Sequence, residues 1–323
     1  MRISDVSNRY LDYRRANGIA ANTVKNDRQA ITRLIAATGD IDIARLGPGH
    51  LDTLLGSMMS DGYATGTVNA TQSCLSAWFR WCRARGYMGL TQDPIAGRRY
   101  IPTQAEPKLM VPLADFPRVL DSIDRPRDKA LIAFGLFTML RQSELVALRV
   151  RDLDFQTGRL SVRRFKTYGM DSLPVTPDAR VYFAEWIQAY QDEVGALHRD
   201  AYLLPAMESH GLRTFRLCPD RPISRTYDIV RRVLERNGFW AERMGVHVLR
   251  RSAARAAFDE MAREGYDGAL RIVAAWLGHA STRTTEQYLG LTEDRSQRDK
   301  KFSDAPLFPS LGGANVVPLR REA

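Results

Sequence analysis

The sequence is short of the features that mark a secreted or membrane protein. It contains three cysteines, Cys74, Cys82 and Cys218, an odd number without C-x-x-C spacing. Scattered thiols of this kind favour reduced side chains in a protein core over a disulfide framework or a metal site. The charged N-terminus lacks the apolar segment of a signal peptide, and no apolar run approaches the ~20 residues of a membrane span. We therefore expect a soluble cytoplasmic protein.

Motifs for metal or nucleotide chemistry are also missing. No cluster of Asp and Glu residues has metal-ligand spacing, and the sequence contains neither H-E-x-x-H nor a P-loop. We expect no metal ion and no cofactor. Acidic residues are outnumbered, because 37 Asp and Glu face 47 Lys and Arg, for a net charge of +10. Although many soluble proteins are mildly basic, this excess favours a polyanionic partner, with nucleic acid as the first candidate.

The N-terminal third of the chain predicts a helical domain. At 323 residues the chain is too long for one ordinary domain, and we expect two. In residues 1–97, apolar residues recur at steps of three and four in four segments that each end at a glycine. The predicted helices are residues 4–16, a second capped by Thr23, a third starting at Pro48, and a fourth around residues 68–82.

Basic side chains on the other faces of these helices are the candidates for contacts with DNA. Each of them alone fits a solvated helix face, but together they favour a nucleic-acid surface. A proline-rich segment without periodicity, residues 98–112, predicts a linker between the two domains and adds two more arginines. The predicted DNA-binding residues are Lys25, Arg33, Arg80, Arg83, Arg98 and Arg99.

Residues 113–323 change from helical periodicity to alternation and back. An apolar helix is predicted over 127–138, followed by a short helix carrying Leu145 and Leu148. Alternation in steps of two then predicts a three-stranded antiparallel meander, with Lys166 at its second turn. The strands are residues 153–155, 160–164 and 171–175. Further helices are predicted over 177–190 and 224–237, the latter capped by Ser224, and onward to Tyr288, and a loosely ordered tail over about 303–323.

One segment near the C-terminus concentrates groups suited to phosphate chemistry. His247, Arg250, His279 and Tyr288 lie within about forty residues, in sequence that otherwise predicts helix and turn. A guanidinium binds phosphate through two parallel hydrogen bonds and keeps its charge. A phenol, with a pKa of about 10, becomes a useful nucleophile only when cations or a base offset that value. The segment supplies candidates for both roles.

These residues resemble the motifs of the tyrosine recombinases, also called phage integrases. The resemblance rests on Arg141 within TMLRQSELVALRVRDLDF, Lys166 in a hairpin turn, H-V-L-R at 247–250, L-G-H at 277–279 and Tyr288. The nine-position interval from His279 to Tyr288 agrees with that family. The resemblance covers essentially the whole chain. It implies a mostly α fold with a small antiparallel β-meander: a four-helix SAM-like core-binding domain followed by the family's α+β catalytic domain.

The resemblance also implies roles. Arg141 and Arg250 would clamp the scissile phosphate, and His279 would hydrogen-bond it. His247 would act as general base or phosphate ligand. Lys166 would protonate the departing 5′-oxygen, and Tyr288 would attack to form a 3′-phosphotyrosine without metal or ATP.

Four further positions bear on this resemblance: two acidic residues that match the family motifs and two residues that depart from them. Glu144 and Asp152 match acidic positions of the first motif, and we expect them to support Arg141. Met139 stands where that motif commonly has glycine. Arg251 stands where the second motif commonly has histidine.

Several functions remain open from the sequence. The favoured one is a site-specific recombinase that acts as a homotetramer on double-stranded DNA, at attachment or core sites, with or without a directionality factor. Because residue 1 directly precedes the four-helix domain, without an arm-binding domain, the chain resembles the shorter integrases and also the Xer-type chromosome-dimer resolvases. A non-catalytic DNA-binding regulator and a type IB-like topoisomerase are the alternatives.

Overall fold

The computed structural model describes residues 1–103, 109–165, 169–209, 215–242 and 244–291. The chain separates into two compact units, Met1–Glu106 and Pro107–Ala323. The division falls within the segment 98–112, and the predicted tail over 303–323 lies outside the described residues. Among the helices described, none has both the length and the apolar content that a bilayer crossing requires.

In residues 1–103, the described part of the first unit, four α-helices surround one apolar core. Each helix buries a stripe of side chains spaced three and four residues apart, as an amphipathic helix does. Tyr10, Leu34, Leu54 and Trp78 are among the buried residues that meet in this core. The helices are α1 (Ile3–Ala16), α2 (Ala21–Thr38), α3 (Pro48–Ser60) and α4 (Thr65–Ala84).

The predicted cap of α2 is wrong by three residues. The helix begins at Ala21, and Thr23 lies inside its first turn. The carbonyl of Ala20 accepts hydrogen bonds from the amides of Thr23 and Val24 at 2.9 and 3.1 Å. Backbone hydrogen bonding therefore starts before Thr23, so its hydroxyl is not needed as a cap. Just upstream, Gly18 adopts the left-handed conformation that reverses the chain after α1.

The second unit is built around the helix Pro126–Thr138, whose side chains are buried on nearly every side. Phe134 of this helix stacks on Phe183 of the helix Pro177–Val194, with ring centroids 3.7 Å apart. Gly135 faces the helix His247–Arg263 so closely that a Cβ there would lie 2.8 Å from Leu249 Cδ1. The helices of this unit are α5 (Phe116–Asp121), α6 (Pro126–Thr138), α7 (Gln142–Leu145), α8 (Pro177–Val194), α9 (Thr226–Arg236), α10 (His247–Arg263), α11 (Ala269–Leu277) and α12 (Thr282–Leu289).

Two antiparallel sheets accompany these helices in the described part of the chain. The predicted meander is confirmed as a three-stranded sheet whose strands lie in sequence order, with Leu160 paired with Leu173. A second, two-stranded sheet was not predicted, because its residues mix prolines and charges without a clear alternation. The strands are β1 (Leu153–Asp154), β2 (Arg159–Arg164), β3 (Gly169–Pro174), β4 (Pro205–Ser209) and β5 (Phe215–Pro222).

Two local predictions in this unit are also wrong. The short helix α7 ends at Leu145, so Leu148 is buried beyond its end. The cap position of α9 is Arg225 and not Ser224. Arg225 has a left-handed backbone, φ +54°, which turns the chain into α9 and places the cap position one residue after the predicted one.

Candidate active site

Arg250, on the first turn of α10, lies at the centre of the candidate site. Its side chain is buried, with 1% of its surface exposed. Nη1 donates to the carbonyl of Met139 at 2.5 Å and Nη2 to that of Leu277 at 2.7 Å. These carbonyls lie at the C-terminal ends of α6 and α11, where helices leave acceptors unpaired and favour a cation. Burial lowers the pKa of Arg250 to about 10, so it stays charged at neutral pH.

Arg141 is the residue immediately before α7, and its side chain extends into the site. Its Nη1 donates to Oε1 of Glu144 at 3.0 Å, and its backbone amide donates to Oε2 of the same carboxylate, also at 3.0 Å. Nη2 reaches the carbonyl of Gly278 at 3.4 Å. Glu144 therefore closes the first turn of α7 and orients the Arg141 guanidinium. This is the support that the sequence comparison predicted for Glu144.

Arg164 is a third guanidinium of the site, which the sequence reading did not select. It lies at the end of β2, on the same buried face as Leu160 and Val162. Nη1 donates to Oε2 of Glu144 at 3.2 Å, and Nε and Nη2 donate to Oδ2 of Asp171. The alternation of Leu160, Val162 and Arg164 was the available signal, since period two places all three on one face of a strand.

The cluster of Arg141, Arg164 and Arg250 has an excess of positive charge. The Glu144 carboxylate contacts the first two and lies 4.0 Å from Nη1 of Arg250. Among the residues that the structure describes, Asp171 is the other carboxylate paired with the cluster. Two carboxylates facing three guanidiniums leave a net charge of about +1 at the site. Such a site favours an anionic ligand.

His279 and Tyr288 come together through the turn between α11 and α12. Gly278 ends α11 in the left-handed conformation, φ +60°, and His279 follows. The His279 ring lies edge to face with that of Tyr288, with centroids 5.5 Å apart. Its Nδ1 is 2.9 Å from Oγ1 of Thr285, and its Nε2 is 3.4 Å from Nη2 of Arg250. Thr285, which sequence reasoning missed, is buried one turn before Tyr288.

Tyr288 is half-buried, with cations on more than one side. Its ring centroid is 5.9 Å from Cζ of Arg250 and 5.5 Å from Cζ of Arg251. Its hydroxyl donates to the carbonyl of His247 at 3.5 Å, a long hydrogen bond. Burial raises the pKa of Tyr288, and the nearby charges of Arg250, Arg251 and Arg141 only partly offset this. The phenol is therefore neutral at physiological pH, and ionising it requires a base or a bound substrate.

Of the two remaining predicted catalytic residues, His247 and Lys166, the structure describes only His247. His247 is the first residue of α10 and has an exposed side chain, and its backbone adjoins the Tyr288 hydroxyl. Lys166 lies outside the described residues. Asp152 does not act as predicted for the first motif: it accepts a 2.7 Å hydrogen bond from the amide of Arg149 and so closes the turn Val150–Asp152. The reason is local, because a carboxylate three residues after Arg149 reaches that amide first.

The predicted DNA-binding residues fall into two groups in the first unit. Lys25, Arg80 and Arg99 are exposed. The other three contact neighbouring side chains. Arg83 forms a salt bridge with Asp93 at 2.9 Å, and Arg98 forms one with Asp52 at 2.8 Å. Nη1 of Arg33 donates to Oγ1 of Thr71 at 3.3 Å, and its Cζ lies 5.4 Å from the ring centroid of Tyr63.

Comparison with known proteins identifies the family. The profile described as "Phage integrase family" matches residues 110–295. Tyrosine recombinase XerC of Herpetosiphon aurantiacus is 24% identical over 324 residues, covering 93% of this chain and 94% of that protein. Tyrosine recombinase XerD of Haemophilus ducreyi is 26% identical over 251 residues, covering 76% and 78%. A lambda integrase fragment, solved as a dimer bound to a core site, superposes with a TM-score of 0.65 at 16% identity, over 90% of this chain and 95% of that chain. Because the family match spans more than half of the sequence, the chain belongs to the phage integrase family of site-specific tyrosine recombinases.

Proposed function

We propose that this recombinase cuts and rejoins duplex DNA through a 3′-phosphotyrosine formed by Tyr288. The observation that carries the proposal is the position of the phenol. It lies against the edge of His279 and close to two guanidiniums, those of Arg250 and Arg251. A tyrosine packed for core stability alone would not require several cationic or imidazole groups around one ring.

The arginines act as the phosphate clamp. Arg250 has five N–H donors, of which two are committed to the Met139 and Leu277 carbonyls. The remaining donors, with those of Arg141, bind the non-bridging oxygens of the scissile phosphate. The negative charge that develops on these oxygens in the transition state is then stabilised by fixed cations. Such preorganised donors contribute several kcal/mol to catalysis, of the order of 3 kcal/mol for a single donor.

The proton transfers follow from the neutral state of the phenol. As the Tyr288 oxygen bonds to phosphorus, its proton passes to His247, whose backbone already adjoins the hydroxyl. The bond from phosphorus to the 5′-oxygen breaks, and Lys166 supplies the proton that completes the 5′-hydroxyl. A 5′-hydroxyl of another strand then reverses the same steps and releases Tyr288. His279 holds the phosphate, with Thr285 fixing the orientation of its ring.

DNA is the proposed partner, bound by both units. The net charge of +10 supports this proposal. In the first unit, residues 1–97 act as a core-type DNA-binding domain, and the exposed Lys25, Arg80 and Arg99 contact the phosphate backbone. The related lambda integrase was solved as a tetramer bound to a Holliday junction. We propose that this chain also acts as a homotetramer on two duplexes. A directionality factor that controls the reaction is a further partner compatible with this proposal.

A Xer-type role in resolving chromosome dimers is the second candidate. The sequence similarity to a XerC protein over nearly the full length of both chains favours it. The two roles share the same chemistry at Tyr288 and differ in the DNA that is recognised. A regulator without catalysis is disfavoured by the convergence of Arg141, Arg250, His279 and Tyr288.

Covalent trapping tests the proposal. The full chain is incubated with a pool of nicked duplexes that combine DNA flanking its gene with randomised sequence, and denaturing electrophoresis isolates any protein–DNA adduct. Wild type should form an adduct, Tyr288→Phe should form none, and Tyr266→Phe, which alters an exposed tyrosine, should react like wild type. Binding without an adduct in wild type would leave the regulator as the answer. Sequencing the trapped DNA separates attachment sites from a chromosomal resolution site.

A further inference from the structure

Arg251 has no assigned role in the catalytic mechanism proposed above, although it lies next to the residues that do. It follows the clamp residue Arg250 in α10 and replaces the histidine common at this position. Its Nη1 donates to the carbonyl of Leu109 at 3.2 Å, and its Cζ lies 5.5 Å from the ring centroid of Tyr288. One side chain therefore contacts both the end of the segment 98–112 and the tyrosine.

The contact with this segment is reinforced by the next residue of α10. The amide of Val111 donates to Oγ of Ser252 at 2.9 Å, in a buried position. Residues 109–111 are thus attached to the first turns of α10 at two successive side chains, Arg251 and Ser252. The attachment lies directly beside the residues that face the phosphate.

The Arg251 guanidinium retains unused donor capacity. Its Nε is buried and has no hydrogen-bond partner among the residues that the structure describes. An unpaired donor at such a depth is destabilising, and proteins rarely retain one without a compensating interaction. Attraction between the guanidinium and the electron-rich face of the tyrosine ring is one such interaction, and it strengthens when the phenol ionises.

We propose that Arg251 is a positioning residue that holds the nucleophile Tyr288 against a permanent positive charge and ties it to the end of the segment 98–112. The proposal rests on the proposed function, in which Tyr288 attacks phosphorus. A histidine here would be mostly neutral above its usual pKa of about 6.5, whereas arginine stays charged. This chain therefore keeps a cation beside the phenol throughout the neutral and alkaline range.

Other groups also face Tyr288 and must be separated from Arg251 in any titration. They come from α10, from the residue before α7 and from the turn between α11 and α12. The carboxylate of Glu144 lies 4.0 Å from Nη1 of Arg250. Within the described part of the chain, the charged or titratable groups near the ring are Arg141, His247, Arg250, Arg251 and His279. A variant of Arg251 leaves the rest in place.

The first test measures the ionisation of Tyr288 without DNA. The full chain is labelled with 3-fluorotyrosine, and the fluorine resonance of Tyr288 is identified by its loss in Tyr288→Phe. In Arg251→Gln the titration midpoint should move to higher pH by about half a unit or more, because a cation near the ring is lost. In Arg251→Lys, which again places a cation near the ring, the midpoint should return most of the way to the wild-type value. Arg263→Gln, an equal charge change at the exposed end of α10, should leave the midpoint unchanged.

Arg251→His gives an internal check on charge against shape. Its Tyr288 midpoint should lie close to that of Arg251→Gln, because histidine is neutral at the pH where the phenol titrates. If Arg251→Gln fails to fold, the comparison of the histidine and lysine variants decides the question. A midpoint that is the same in wild type, Arg251→Gln and Arg251→His overturns the proposal.

The second test concerns the attachment to the linker segment. Hydrogen exchange in a peptide covering residues 109–111 should be several-fold faster in Arg251→Gln than in wild type and unchanged in Arg263→Gln. Adduct formation on the nicked trapping duplex should slow by about threefold or more at pH 7 in Arg251→Gln, as a half-unit rise in the pKa of Tyr288 implies, and should recover at higher pH. Unchanged exchange would exclude the coupling. If wild type forms no adduct at all, the proposed function fails, while the fluorine titration still judges Arg251.

Discussion

Oε1 of Glu144 accepts a 3.0 Å hydrogen bond from Nη1 of Arg141, and the glutamate side chain that does so has no exposed surface. The other oxygen of the same carboxylate accepts from Arg164. A buried anion in this position offsets the mutual repulsion of three guanidiniums. Glu144→Gln keeps the shape and removes the charge. We expect a loss of about 3–5 kcal/mol in the free energy of unfolding, because the arginines lose their buried partner.

Urea unfolding of the full chain measures this loss, with Asp171→Asn as the matched control. Asp171 also accepts from Arg164 but is partly exposed, so water can replace it and the cost should be well below that of Glu144→Gln. Equal losses in the two variants would show that the burial of Glu144 does not make it more important for stability than Asp171.

Met139 has a left-handed backbone, φ +51°, although its side chain is buried. The left-handed conformation costs a non-glycine residue about 1–2 kcal/mol, whereas removing a buried methionine side chain costs about 2–5 kcal/mol. Both Met139→Ala and Met139→Gly should therefore lower stability. The glycine variant should be the more stable of the two by about 1 kcal/mol, since only glycine relieves the backbone. Thermal unfolding of both variants tests this order, and a more stable alanine variant would contradict it.

Gly278 and Gly290 are both left-handed, but only the first is crowded. A Cβ on Gly278 would lie 3.2 Å from Nε of Arg164, whereas nothing lies within 4 Å of one on Gly290. Alanine should cost each site about 1–2 kcal/mol through the backbone. Gly278→Ala should also displace Arg164 and so reduce adduct formation beyond the effect of Gly290→Ala. Parallel assays of folding and trapping give the comparison, and identical activities would argue against a role for the crowded contact.

Thr285 orients the ring of His279 through its hydroxyl. A hydroxyl can either donate or accept, so it supports His279 in more than one protonation state. Thr285→Val keeps the shape and removes this contact. We expect adduct formation to fall by about tenfold, corresponding to a loss of about 1.4 kcal/mol, with near-normal binding of DNA. Thr285→Ser should retain most activity, and a serine variant as impaired as valine would point to packing instead.

Alkaline pH should weaken the first unit through Cys82. Burial raises the pKa of this thiol from 9.0 to about 12. The unfolded chain therefore releases the proton at a lower pH than the folded chain, and stability falls as pH rises above 9. The slope contributed by this group approaches about 1.4 kcal/mol per pH unit. Cys82→Ala should unfold with a shallower dependence on pH between 9 and 10.5, although Tyr10 and Cys74 still contribute. Parallel slopes in the two proteins would refute this assignment.

Most helices of both units could be predicted because burial of an apolar stripe leaves a periodic pattern in the sequence. The exception is α5, which has only six residues and is too short to show that pattern. The wrong caps at Thr23 and Ser224 have a different cause. Helix starts depend on backbone turns, and at Arg225 the turn uses a left-handed residue that no side-chain preference announces. The β4-β5 pair was missed because its burial is irregular along both strands.

The candidate site was predictable where its residues form short motifs and not where they meet only in space. Arg141, Arg250, His279 and Tyr288 were predicted from their resemblance to the motifs of the tyrosine recombinases, and the structure brings them together. Arg164 was overlooked because an arginine on the buried face of a strand is rare, so composition favours an exposed position. Thr285 is separated from His279 by a turn whose geometry the sequence does not specify.

The two carbonyl contacts of Arg250 bear on how the protein holds an anion. Because Nη1 and Nη2 are bound to the backbone of Met139 and Leu277, the guanidinium is immobilised when α6, α10 and α11 pack together. Freezing an arginine side chain costs about 2 kcal/mol of rotamer entropy, and folding absorbs that cost before any ligand arrives. Substitutions that loosen the packing of these three helices, even ones remote from the guanidinium cluster, should therefore weaken the affinity for phosphate, although Arg141 and Arg250 themselves are unchanged.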